Sequence, residues 1–344
     1  MKVSYAFILG AILLAISVVT FIQGLYTSLS IPDQIYYTDL KHTANQVARA
    51  DFCSTIASRE KEQDIDPEFI IANKPIPSDD FIKSVEFPNS YPCPILENDV
   101  FKLKQLANGG AGVTVAVLDT GIDKNHNDLT GKVVREINLT NSVTARDGNG
   151  HGTHVAGIIA ADNTNGVLGI APGIHLLNVK VANDQGRCEL LALEHGIIWA
   201  VQEGANVINL SIESVEYSDN LEKAIYYAWE NGILIIAAAG NNRANSPVYP
   251  AYYENTIAVT ALDKVDSLAP LANYGDWVDV AASGCEVYST LPGNNYGYKT
   301  GTSFATAYVS GVAALLYNVI ADENGNICLN DEVRKAIETG NYRL

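Results

Sequence analysis

Three short stretches carry side chains that could act together on a carbonyl carbon. Asp119-Thr120-Gly121 closes an apolar run, His151-Gly152-Thr153-His154 opens one, and Gly301-Thr302-Ser303 opens another. A serine hydroxyl is a weak nucleophile until an imidazole takes its proton. That imidazole in turn needs a carboxylate to fix its tautomer and balance the charge it gains. Asp119, His151 and Ser303 supply these three groups. The adjacent glycines let backbone approach a substrate closely, and a serine at a helix start has backbone N–H groups where an oxyanion would form. Each residue taken singly has a plainer role: an Asp after a strand caps a turn, a Ser before a helix caps it, and a His there is a surface residue. Their conjunction, each with a glycine flank, points to acyl transfer.

The elements around these residues read as an α/β fold. Residues 113–118 form a nearly all-apolar run, and similar β-rich runs follow at 174–179, 206–210, 233–238 and 257–261. Helical patterns lie between or after them, at 189–203, 219–231, 304–316 and 331–338, with Gly232 as a natural stop for the second. Alternating helices and uniformly apolar strands predict a parallel sheet covered by helices on both faces, a three-layer domain over residues 96–344. Ligands of such sheets sit at the carboxyl ends of the strands. Asp119 stands at one such end, and Ser211 and Asn241 follow two others.

The remainder of the chain constrains location and partners. Lys2 precedes a charge-free run that continues to Asp33, with residues 5–22 strongly apolar. This predicts an export signal or a retained membrane anchor over residues 1–30, and places the rest outside the cell, secreted or anchored on the outer face of the membrane. Residues 31–95 are polar, without a strong period and punctuated by prolines, and read as a linker or propeptide-like extension. A net charge of −17 argues against a nucleic-acid partner. The five cysteines, Cys53, Cys93, Cys188, Cys285 and Cys328, fit an oxidising compartment; Cys53 with Cys93 is the most local pairing, and buried thiols are the alternative.

The stretches Val117-Leu118-Asp119-Thr120-Gly121-Ile122-Asp123, His151-Gly152-Thr153-His154-Val155-Ala156-Gly157 and Gly301-Thr302-Ser303-Phe304-Ala305 resemble the three signature motifs of the subtilisin-like serine proteases. The resemblance runs from about residue 100 to 340, and Tyr249-Pro250-Ala251-Tyr252-Tyr253 is similar to the thermitase branch. It implies a monomeric serine endopeptidase acting on proteins or peptides, often made as a zymogen. It also implies an oxyanion-stabilising Asn241 in Ala238-Ala239-Gly240-Asn241 and a substrate-binding strand at Ser211-Ile212-Glu213 facing Gly240. The family usually carries Ser-Leu-Gly-Gly there, so Ile212 and Glu213 alter the rim of the first specificity pocket. Asp128 aligns with a calcium ligand, and Asn165 lies in its companion loop, which is shorter than usual. The implied calcium is structural, with no catalytic cofactor. Phe304 stands where relatives carry Met.

Other chemistries were weighed on the residues. Asn108-Gly109-Gly110-Ala111-Gly112 is glycine-rich but precedes its strand, whereas a dinucleotide fingerprint follows one. His151 and His154 could hold a metal, but no H-E-x-x-H or third ligand accompanies them. A catalytically dead, protease-like binding protein would typically have lost a member of the triad, and all are present.

Overall fold

The computed structural model describes residues 68–71 and 97–340. The N-terminal apolar run, most of the 31–95 extension, Cys53 and Cys93 lie outside the described residues. In chain order come β1 (Glu68–Ile71), α1 (Glu97–Leu106), β2 (Thr114–Asp119), β3 (Val133–Asn138), α2 (His151–Ala160), β4 (His175–Lys180), β5 (Arg187–Glu189) and α3 (Leu190–Gln202). There follow β6 (Val207–Leu210), β7 (Ile212–Glu213), α4 (Asp219–Glu230), β8 (Leu234–Ala238), β9 (Thr256–Leu262), β10 (Val280–Ser283), β11 (Val287–Leu291), β12 (Asn295–Lys299), α5 (Thr302–Leu316) and α6 (Asn330–Thr339).

Seven strands form one parallel sheet in the order β10-β9-β8-β6-β2-β4-β3. Strand residues alternate between its faces, and both faces are apolar. Val115, Val117, Leu176, Val207, Ile236 and Val259 share one core with α2, α5 and α6. The intervening Ala116, Leu118, Leu177, Ile208, Leu210 and Ile235 are equally buried but lie outside that core. They turn to the other face, where α3 packs on β2 and β4 and α4 packs on α3. This double burial explains why the strands read as continuous apolar runs rather than alternating ones.

The chain leaves β2 toward β4 and β3 on one side and toward β6, β8, β9 and β10 on the other. Such a reversal opens a crevice at the carboxyl ends of the central strands, the ends that carry Asp119 and Ser211.

Two smaller pairings lie outside the main sheet. β11 and β12 form an antiparallel hairpin over α2. β1, from the proline-rich extension, runs antiparallel between β5 and β7, with Phe69 opposite Cys188 and Ile71 opposite Ile212. The sequence of the extension gave no period that predicted a strand there. No helix of the described residues is long and apolar enough to cross a membrane.

Candidate active site

Asp119 ends β2 at the base of the crevice and is fully buried. Its carboxylate accepts the Thr120 backbone N–H at 2.7 Å, and both oxygens lie on His151 Nδ1, at 2.8 and 2.9 Å. Nδ1 is therefore the donor, which leaves Nε2 of a neutral ring as the acceptor. Nε2 is buried and has no hydrogen-bond partner among the described residues. A buried orphan acceptor is uncommon in a folded protein, and a site that waits for a substrate-linked proton is one reason to keep it.

Close approach of β2 and α2 makes this contact possible. A Cβ on Gly152 would stand 2.2 Å from the Gly121 carbonyl oxygen and 3.1 Å from Asp119 Cβ, so the residue after His151 has to be glycine. The loop before His151 is organised by Asp147, which the sequence reading did not single out. Its Oδ1 accepts from Thr120 Oγ1 and from the N–H groups of Asn149 and Gly150; its Oδ2 accepts from Thr153 N and Oγ1. The sequence signal was present: Asp147 precedes Gly-Asn-Gly at a helix start, where an Asp side chain folds back on its own backbone.

α2 is also clamped from above by the hairpin. Ser289 Oγ and Thr290 Oγ1 donate to the carbonyls of His154 and Thr153 at 2.8 and 2.7 Å. His154 Nε2 donates to the Gly297 carbonyl at 3.1 Å.

Ser303 is the second residue of α5 and is fully buried. The Phe304 ring that follows it packs 5.4 Å from the His151 ring and 4.7 Å from the His154 ring, which brings the start of α5 against the imidazole. Ser211 Oγ donates to the Ser303 carbonyl at 3.2 Å and ties the end of β6 to the same helix start. Asn241 follows β8 and Gly240; its Oδ1 accepts the Thr302 N–H at 2.9 Å. With that oxygen engaged, Nδ2 is the end of the amide that can donate to a substrate. Asp119, His151, Ser303 and Asn241 thus converge from four separate elements.

Asp128 and Asn165 also meet, but not as cation ligands. The buried Asp128 carboxylate accepts the N–H groups of Asn165 (2.5 Å) and Val167 (3.1 Å) and the Tyr296 hydroxyl (2.9 Å). Asn165 contributes a donor, and the carboxylate faces three protons. A hard cation needs several converging oxygens, and here the positions around the carboxylate are taken by hydrogen-bond donors. The arrangement does not fit the calcium expected from the sequence.

The matching family model is the subtilase family, over residues 110–340. The chain belongs to the subtilase family. It is 44% identical to the thermophilic serine proteinase of Bacillus sp. (strain AK1) over 236 residues, 68% of this chain and 57% of that protein. It is 45% identical to thermitase of Thermoactinomyces vulgaris, over 60% of this chain and 75% of that protein. It is 42% identical to subtilisin DY of Bacillus licheniformis, over 66% and 83%.

Burial, ahead of every other influence, lowers the pKa of His154 in this subtilase from 6.5 to about 3. Between those values the unfolded chain binds a proton that the folded chain does not. The stability contributed by neutral His154 is therefore complete above pH 6.5 and is lost as pH falls toward 3. His154→Gln keeps a donor for Gly297 and should flatten that acid loss by up to about 1.4 kcal/mol per pH unit, read from urea midpoints across the window.

Phe304 supports a second prediction. Met1 is the only methionine of the chain, so the residue that follows Ser303 carries no thioether. The Cys285 thiol is pushed up to about 11 by burial first and then by the charges of Asp263 and Glu286, which keeps it protonated and slow to oxidise. The wild type should retain activity through a peroxide series that inactivates Phe304→Met. Equal loss in both proteins would contradict the role given to Phe304.

Proposed function

We propose that this subtilase is an exported serine endopeptidase that hydrolyses peptide bonds through an acyl-enzyme on Ser303. The observation that carries the reading is the state of His151: Nδ1 is held by a fully buried carboxylate, and Nε2 is buried without a hydrogen-bond partner among the described residues. Ser303 Oγ attacks the carbonyl carbon, and its proton passes to His151 Nε2. The resulting oxyanion is met by Asn241 Nδ2 and by backbone N–H at the α5 start, where the helix dipole adds to the attraction. His151 then gives the proton to the departing amine, and water hydrolyses the ester by the same steps in reverse. Asp119 stays ionised and balances the imidazolium.

The course of β1 supports a substrate track along Ser211, Ile212 and Glu213. A chain running antiparallel between β5 and β7 adds to both edges by main-chain hydrogen bonds, the way an extended peptide is held. On this reading the 31–95 extension acts as a propeptide whose β1 lies along the track, and the chain is made as a zymogen. Export rests on Lys2 and the apolar run behind it.

Ser303→Ala or His151→Ala should lower kcat by about 10⁶, the loss seen when the corresponding groups of the related enzyme subtilisin are removed. Asn241→Leu should cost about 10²–10³ in kcat with KM nearly unchanged, since the oxyanion exists only beyond the ground state. Steady-state kinetics on a peptide substrate checks both, and near-wild-type turnover in Ser303→Ala would sink the assignment.

We further propose that hydrogen bonds to Asp128 replace the family's cation in closing the 162–167 loop. The melting temperature should then be the same in a chelator and in added calcium, by calorimetry. A fall in the chelator would show that a cation displaces these donors.

A further inference from the structure

We infer that Glu213 closes the pocket for the residue on the acyl side of the scissile bond and restricts that residue to glycine or alanine. The inference rests on the peptidase reading above and names the substrate class of the same site.

Glu213 is only 3% exposed, far deeper than a glutamate at a strand edge usually lies. Its side chain leaves β7 and crosses to the loop after β8. There Oε2 accepts the Asn241 N–H at 3.2 Å and Oε1 accepts from Asn242 Nδ2 at 3.3 Å. The crossing presses on Gly240, which has φ +95°. A Cβ there would stand 2.0 Å from Glu213 Oε2. The carboxylate thus lies directly on the backbone of the residue before Asn241.

The register of β1 gives the direction of a bound side chain. Opposed residues of an antiparallel pair share a face, and residues two apart along a strand share it too. Ile70 stands opposite Glu213 and Ile71 opposite Ile212. A peptide following this path sets its next residue opposite Ser211, whose Oγ reaches the Ser303 carbonyl. That residue presents its carbonyl to the nucleophile. Its side chain shares a face with Ser211 and Glu213, and points into the slot between β7 and residues 240–242. Glu213 spans that slot. An aromatic or long aliphatic side chain would have to displace the carboxylate from Asn241 and Asn242, whereas a hydrogen or a methyl group asks for the least space beside it.

The test is kcat/KM on otherwise identical fluorogenic peptides with Ala, Phe, Lys or Glu at the acyl-side position, for wild type, Glu213→Gly and Glu213→Gln. Active enzyme is counted by fluorophosphonate labelling of Ser303. Wild type should prefer Ala over Phe and Lys by about tenfold to a hundredfold, the range that shape selection in a pocket provides. Glu213→Gly should gain Phe turnover. Glu213→Gln, of the same size but without charge, should keep the preference for Ala. Wild type that turns over Phe as well as Ala overturns the inference. So does wild type that prefers Lys and loses that preference in Glu213→Gln, since the carboxylate would then recognise a cation. Labelling with either result leaves the peptidase reading standing; absence of labelling overturns that reading and the pocket with it.

Discussion

The contact between the Asp119 carboxylate and His151 Nδ1, at 2.8 and 2.9 Å and wholly removed from solvent, sets the terms for the structure around it. A carboxylate in that position is costly unless its oxygens are met by donors. Thr120 N–H and the imidazole meet them, and the loss of either would leave a buried charge poorly compensated. The ring must therefore approach the end of β2 closely, which Gly152 permits by having no side chain. The loop that delivers it must hold one shape, which Asp147 enforces through five accepted hydrogen bonds.

The same economy governs the other groups. Ser303, Asn241 and Ser211 come from α5, the loop after β8 and the end of β6, and backbone hydrogen bonds to Thr302 and Ser303 tie them together. These side-chain-to-backbone bonds hold Ser211 and Asn241 in fixed orientations at the start of α5. Preorganisation of this kind places dipoles before charge develops, so little reorganisation is required during reaction. The sheet supplies the rigid frame: Asp119 ends β2, Ser211 and Asn241 follow β6 and β8, and His151 and Ser303 stand at helix starts.

Much of this was legible in the sequence. The apolar runs at 113–118, 206–210, 233–238 and 257–261 became β2, β6, β8 and β9 with ends shifted by no more than one residue, because strands buried on both faces need uninterrupted apolar side chains. Asp119, His151 and Ser303 stand out in the sequence because acyl transfer would need those atom types in glycine-rich settings, and Asn241 through the family resemblance of Ala238-Ala239-Gly240-Asn241. The half-exposed elements were not found. β3 carries Arg135 and Glu136, and the β11–β12 hairpin is rich in Tyr, Asn and Gly, so neither shows an apolar run. Yet the hairpin holds α2 in place. The roles of Asp147 and Glu213 depend on which backbone N–H groups lie nearby, and the fold alone determines that. The surroundings of Asp128 were illegible for the same reason: a carboxylate at position 128 reads the same in sequence whether it faces a cation or three hydrogen-bond donors.

The claim at the centre of the account is that Asp119 fixes His151 with its proton on Nδ1 and a bare Nε2. Nitrogen NMR of protein labelled at the histidine imidazoles, at alkaline pH, reads this directly. The account predicts that His151 shows a protonated Nδ1 with a slowly exchanging proton and an unprotonated Nε2, and that Asp119→Ala abolishes the slow exchange. A neutral His151 protonated on Nε2, in the wild type, would contradict it.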